Sequence, residues 1–99
     1  MSYRVRFTEE AEDDLLRLFD FLLERSGITT ASDVLVAMRH VLELLAFSPF
    51  SCRKAGHDPF LRELVIGHGA SGHVALFEIE NRATVTILAV RHQREEDYH

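Results

Sequence analysis

The stretch of sequence that decides the fold is Thr84-Val85-Thr86-Ile87-Leu88-Ala89-Val90-Arg91. Toward its end, apolar side chains occupy both the odd and the even positions. A β-strand with two apolar faces has structure on both sides, which is typical of a strand inside a sheet. We therefore predict that this segment is a central strand, and the other elements are placed around it.

Two further strand-like runs precede this segment, at residues 60–66 and 73–79. A glycine-rich link over residues 67–72 joins them, and a tight turn at residues 80–83 leads into the last strand. Short connections of this kind join antiparallel neighbours. The C-terminal half therefore predicts a three-stranded antiparallel meander, and residues 48–59 ahead of it predict a loop.

The N-terminal half begins with a different pattern. Residues 3–7 alternate apolar and basic side chains, which predicts a short strand with one face in water. Thr8 is a suitable N-cap, and a run of acidic residues follows it, where the helix dipole favours anions. Apolar residues then recur at helical spacing over residues 9–25, ending before Gly27, and again over residues 31–46. These two segments predict a helical hairpin.

Together the elements predict an α+β fold, in which a helical hairpin covers one face of a small, mainly antiparallel sheet. The order is an N-terminal strand, two helices and three strands, and the 99 residues form a single domain. The side chains on the apolar stripes should form the core. They are Leu15, Leu18, Phe19, Leu22, Val34, Met38, Val41, Leu45, Leu76, Ile87 and Val90.

Composition and charge exclude several classes of protein. The chain has 11 basic and 16 acidic side chains, a net charge of -5, whereas a dedicated nucleic-acid binder is usually basic. No apolar run reaches the roughly 20 residues of a membrane span, and residues 1–4 do not resemble a secretory signal. The single cysteine, Cys52, suits a reducing compartment. We expect a cytoplasmic protein that does not bind membranes.

Metal and cofactor sites have little support in the sequence. His68 and His73 have no further ligands at metal-binding spacing. The glycine-rich link between them lacks the Lys-Ser/Thr ending of a phosphate-binding loop. Cys52 has no activating partner beyond its two basic neighbours. We therefore expect no metal and no cofactor.

Arg62 is the first candidate functional residue, since it lies beside Glu63 inside an otherwise apolar strand. The simpler interpretation is that this charged pair marks an exposed face of the sheet. The alternative is that the strand holds the arginine rigidly, so that its guanidinium meets an anionic group.

A second candidate follows the last strand, where Arg91, His92 and Arg94 are succeeded by Tyr98. One interpretation is a solvated tail. The other is a cluster in which the arginines stabilise a pentavalent phosphate and His92 or Tyr98 moves a proton. Residue types alone leave both interpretations open.

Some apolar residues exceed what the hairpin can cover by itself. They either fill a small core or line a groove for another protein. These residues are Phe21, Leu23, Leu35, Phe47 and Phe50.

The chain resembles the RelE/ParE superfamily, the toxins of type II toxin–antitoxin modules. The order of elements carries the resemblance over nearly the whole chain, and residues 30–50 are similar to the family's second helix and its proline-containing loop. The apolar last strand followed by Arg91, His92 and Arg94 is similar to the family's C-terminal pattern, and Arg62 stands where these toxins often carry an arginine. The resemblance implies a cognate antitoxin whose C-terminal segment wraps the hairpin, at the five apolar residues named above.

The two branches of the superfamily imply different targets. ParE-like toxins poison DNA gyrase and block replication, and here Arg91, His92 and Arg94 would face the gyrase. RelE-like toxins are ribosome-dependent mRNA endonucleases, and here Arg62, His92, Arg94 and Tyr98 would be the catalytic residues. A net charge of -5 and a single lysine suit docking onto ribosomal RNA poorly. The ParE-like branch is therefore favoured, with the endonuclease as the alternative and a non-toxic binding domain as a third reading.

Overall fold

The last strand lies inside a mixed sheet, as predicted. The computed structural model describes residues 2–68 and 71–92. The strands are Arg4–Phe7 (β1), Arg53–Lys54 (β2), Leu61–His68 (β3), Ser71–Ile79 (β4) and Thr84–His92 (β5). Within the described residues their order across the sheet is β1-β5-β4-β3-β2. β1 runs parallel to β5 and the other neighbours are antiparallel, which confirms the predicted meander and N-terminal strand.

A helical hairpin follows β1. Its helix, α1, spans Glu9–Glu43 and is interrupted at Gly27, where φ is 86° and ψ is 174°. A straight helix of 35 residues would be about 52 Å long, whereas the longest dimension of the chain is 39 Å. The two arms of α1 therefore fold back on each other, and Arg39 donates a hydrogen bond to Glu12 across them at 2.6 Å. The predicted hairpin is confirmed.

The joint between the arms is shorter than the sequence predicts. The prediction leaves residues 26–30 outside the helices, but only Gly27 leaves the helical conformation, because glycine alone adopts such backbone angles without a steric penalty. The second arm ends at Glu43, and the 3₁₀ turn Leu44–Ala46 replaces its predicted last residues. Within the described part of the chain, no helix has both the length and the apolar character needed to cross a membrane.

The predicted loop at residues 48–59 contains more regular structure than expected, so this prediction is wrong in part. It includes the 3₁₀ turn Pro49–Ser51 and the short strand β2, whose residues pair with Arg62 and Glu63 of β3. A strand of two residues is too short to show an alternating pattern. Nothing in the sequence therefore distinguishes β2 from the loop around it.

The core lies between α1 and one face of the sheet. Five of the predicted core residues are buried in it: Leu15, Met38, Leu45, Ile87 and Val90. Three more are partly buried against it: Leu18, Val34 and Val41. Phe19, Leu22 and Leu76 are only partly buried and lie outside this core. Leu76 is outside the core because side chains alternate along β4: Ala75 and Phe77 point into the core, and Leu76 points to the other face.

Candidate target-binding site at the end of β5

A β-bulge sets the direction of the side chains at the end of β5. Phe77 of β4 pairs with Ile87, whereas Leu76 pairs with Ala89, so β5 carries one extra residue, Leu88, at this point. An extra residue reverses which face each later side chain occupies. The bulge therefore turns Val90 into the core and keeps the arginine that follows it out of the core.

The start of α1 takes over from β1 as the neighbour of β5. β1 pairs with β5 only as far as Ile87. Beyond that point the Thr8 hydroxyl donates to the Leu88 carbonyl at 3.2 Å, and the Val90 amide donates to Oδ2 of Asp14 at 2.8 Å. Two side chains near the helix start thus satisfy backbone groups that an edge strand would leave open. The end of β5 is consequently fixed to the hairpin.

Asp14 also holds Arg91, the first candidate side chain of this site. Its other oxygen, Oδ1, accepts hydrogen bonds or ion pairs from Arg91 and from Arg17. The Asp14 side chain is 2% exposed, whereas Arg91 is 26% and Arg17 is 64% exposed. A carboxylate buried to this degree is stable only when paired and hydrogen-bonded. Here it has one backbone donor and two guanidinium groups.

His92 lies beside a buried histidine. It pairs in register with His73 of β4, and the two rings meet edge to face with centroids 5.2 Å apart at 85°. His73 is 5% exposed and His92 is half-buried. Successive side chains of a strand point to opposite faces, so Arg91 and His92 lie on opposite sides of β5.

Arg62 does not belong to this site. Its guanidinium donates to the carbonyls of Pro59, Phe50 and Cys52 at 2.7, 3.2 and 2.8 Å and lies 5.3 Å from the centre of the Phe50 ring. These contacts hold the segment between α1 and β3 in place. The side chain is thus occupied in binding its own backbone.

The strand register measures how far Arg62 is from His92. Arg62 pairs with Phe77, and His92 pairs with His73, which is four residues away along β4. This spacing corresponds to about 13 Å along the sheet and about 10 Å across two strands. The structure therefore does not bring Arg62 and His92 together. The other two residues of the predicted catalytic set, Arg94 and Tyr98, lie outside the described residues.

The five residues predicted to bind an antitoxin do not form one continuous surface. Phe21 and Leu23 are exposed toward the Gly27 end of the hairpin, and Phe47 and Phe50 are exposed beyond its other end. Leu35 is partly buried against the core. An antitoxin that touches all five would have to run along the hairpin.

Leu35 lines a shallow groove between the two arms of α1. Leu15, Leu16 and Phe19 line the opposite side, and the Glu12–Arg39 ion pair closes one end. Leu16 is 62% exposed. The exposed apolar side chains of this groove would be buried if a partner helix or strand covered it.

Sequence reasoning missed Asp14, although a sign of its role was present. Asp14 is three residues after Ala11 and one before Leu15, both of which are buried. It therefore stands on the apolar stripe of the helix rather than on the acidic face of the first turns. An acidic residue on such a stripe indicates a buried partner, which the sequence does not identify.

Cys52 is partly buried in the segment between the hairpin and β3. Burial raises the pKa of its thiol above the ordinary value, and the nearby charge of Arg62 lowers the pKa by a smaller amount. A raised pKa leaves less thiolate at neutral pH. Within residues 2–68 and 71–92, no three His, Cys, Asp or Glu side chains are grouped as metal ligands.

Comparison with known proteins agrees with this architecture. Residues 5–97 match the family described as ParE toxin of type II toxin-antitoxin system, parDE. The chain belongs to this family, so it is the toxin of a type II module, and its partner is a cognate antitoxin.

A solved structure shows the same fold. A chain of the chromosomal ParDE TA system from P. aeruginosa is 16% identical and superposes with a TM-score of 0.77, covering 91% of this chain and 95% of that one. No functionally curated protein matches the sequence. The solved structure supports the arrangement of the hairpin and sheet.

Proposed function

We propose that this toxin inhibits DNA gyrase and so blocks replication. It contacts gyrase with Arg91 and His92 at the end of β5, together with Arg94, which follows them in the sequence. The observation that carries this proposal is the anchoring of Arg91: a guanidinium held by a buried carboxylate at the end of a fixed strand. A planar, always charged group in a fixed place suits a carboxylate or phosphate on a partner. The resemblance to ParE-like toxins supplies gyrase as that partner.

The endonuclease alternative is disfavoured by Arg62. A nuclease site requires the side chains of Arg62 and His92 to contact one phosphate. The spacing of their strands, however, puts the backbones of the two residues about 16 Å apart. Arg62 would also have to leave three backbone carbonyls. Together with the net charge of -5, these contacts favour a toxin that acts by binding a protein target.

We also propose that the antitoxin covers the groove of the hairpin. The groove at Leu35 would receive an apolar stripe of the antitoxin, while Phe21, Leu23, Phe47 and Phe50 would lie under the remainder of the wrapping segment. The exposed apolar residues support this proposal, because they lose contact with water only when a partner binds.

Gyrase assays with the purified toxin test the proposed target. We expect inhibition of supercoiling and accumulation of cleaved gyrase–DNA complexes, with no codon-phased cleavage of mRNA in a translation extract. Arg91→Ala should raise the half-inhibitory concentration at least about tenfold, as expected for an interface hot spot.

Arg82→Ala is the matched control, because Arg82 is an exposed arginine in the turn that leads into the other end of β5. It should leave inhibition unchanged. Wild-type toxin that spares gyrase but cuts mRNA on ribosomes would contradict the proposed function.

A further inference from the structure

We propose that Asp14 is a positioning residue for the target-binding site: its buried carboxylate fixes the guanidinium of Arg91 at the end of β5. This inference rests on the proposed function of that site and deepens it. It assigns a role to a residue in the hairpin, remote in sequence from the strand whose side chain it holds.

The buried charge of Asp14 carries a free-energy cost. Asp14 stands on the stripe of α1 that packs into the core, where an apolar residue would be expected. Burying a carboxylate is unfavourable unless charged partners compensate. The Val90 amide needs only a neutral acceptor, so capping the edge of β5 does not by itself require an aspartate. The charge is explained by the arginines.

The two arginines that contact Asp14 differ in exposure and in the element that carries them. Arg17 is 64% exposed and lies one turn along the same helix, so its ion pair with Asp14 is a local contact on the helix surface. Arg91 comes from a different element and is only 26% exposed. Asp14 thus joins the hairpin to the proposed target-binding site through Arg91, while Arg17 helps to neutralise the carboxylate.

The consequence for binding is preorganisation. A free arginine side chain has many rotamers, and a partner that binds it must restrict them. Asp14 restricts the rotamers of Arg91 before the partner arrives. Removing the charge of Asp14 should therefore weaken target binding through Arg91 without removing any atom that touches the target.

The test is Asp14→Asn, which retains an oxygen for the Val90 amide but not the charge for Arg91. We expect the half-inhibitory concentration for gyrase to rise about tenfold, and to rise no further when Asp14→Asn is added to Arg91→Ala. The matched control is Arg17→Ala, which removes the other arginine from the same carboxylate and should leave inhibition unchanged. Additive losses in the double variant would overturn the inference.

A second readout does not depend on gyrase. The Nε–Hε signal of Arg91 in a ¹⁵N NMR spectrum should be resolved and slow to exchange with water in the wild type and in Arg17→Ala, and averaged in Asp14→Asn. An averaged Arg91 signal in the wild type would overturn the inference even if Asp14→Asn failed to fold. If the wild type shows a restrained Arg91 but does not inhibit gyrase, the proposed function fails and the positioning by Asp14 stands.

Discussion

Arg62 and Arg91 are both strand arginines with several partners, but the structure uses them in opposite ways. Arg62 points its N–H groups at three carbonyls of the chain's own loop, at distances of 2.7–3.2 Å. Arg91 is held by the Asp14 carboxylate at the end of a strand. The first arginine stabilises a segment that lacks strong secondary structure, and the second is fixed where a partner can reach it.

We infer from this difference that the partners of an arginine, rather than its place on a strand, indicate its role. When a guanidinium donates to several backbone carbonyls, its N–H groups are occupied in holding a loop. A buried carboxylate, by contrast, pairs with the charge of the guanidinium and orients it. Substitutions at the two ends of the sheet should therefore separate loss of stability from loss of target binding.

The largest effect on stability is expected at the carboxylate that holds Arg91. Asp14→Ala leaves the Val90 amide without its acceptor and both arginines without their counter-ion, so we expect the free energy of unfolding to fall by about 3–5 kcal/mol. Urea denaturation measures this change. The neighbouring Asp13 is exposed, so Asp13→Ala should change stability by no more than about 0.5 kcal/mol. Equal effects of the two substitutions would show that Asp14 is not the anchor of this end of the sheet.

A smaller loss of stability is expected when Arg62 is replaced. Arg62→Ala removes three hydrogen bonds and the contact with the Phe50 ring, but water can replace several of these partners. We therefore expect the free energy of unfolding to fall by about 1–2 kcal/mol, as measured by the same urea titration.

Arg53→Ala is the control for the prediction at Arg62. Arg53 makes an exposed ion pair with Glu63 at 3.0 Å, and such pairs contribute little to stability. A loss at Arg53 as large as the loss at Arg62 would mean that Arg62 has no special role in holding the loop.

Arg91→Ala should affect stability less than either change above. Asp14 retains the Val90 amide and Arg17 as partners, so its carboxylate is not left unpaired. We expect a loss of no more than about 1 kcal/mol, seen as a small shift of the thermal midpoint. A loss comparable to that of Asp14→Ala would show that Arg91 holds the fold together rather than serving a partner.

The smallest effect concerns Cys52, which reports on the loop that Arg62 holds. Burial is the larger influence on its thiol and raises the pKa, whereas Arg62 lowers it. Iodoacetamide at pH 7.5 should therefore react more slowly than with a free cysteine. In Arg62→Ala the loop opens, and the lost burial outweighs the lost charge, so the pKa should fall and the reaction should accelerate. In Arg91→Ala the rate of the Cys52 reaction should not change. A faster reaction in that variant would contradict the view that Arg91 and Arg62 act on separate parts of the sheet.

Much of the fold follows from local patterns in the sequence. The apolar run at residues 84–91 indicates an interior strand, and the stripes on either side of Gly27 indicate two helices. These features are local, so a single sequence carries them. The short strand β2 and the length of the joint at Gly27 depend on contacts with distant residues, which local patterns do not record.

The site was harder to predict for the same reason. The sequence indicates Arg91 and His92 as candidates, but it indicates Arg62 equally. The backbone carbonyls that bind Arg62 lie in a loop, and no sequence pattern predicts these contacts. The contact between Asp14 and Val90 spans 76 residues. An acidic residue on an apolar stripe is the only local trace of that contact.

The central claim is that Arg91, and not Arg62, serves the target. The most direct measurement compares Arg62→Ala and Arg91→Ala in one gyrase supercoiling assay, at equal concentrations of folded protein confirmed by circular dichroism. We predict that Arg62→Ala inhibits gyrase like the wild type, and that Arg91→Ala requires at least about ten times more protein. Wild-type inhibition by Arg91→Ala together with a loss in Arg62→Ala would contradict the claim.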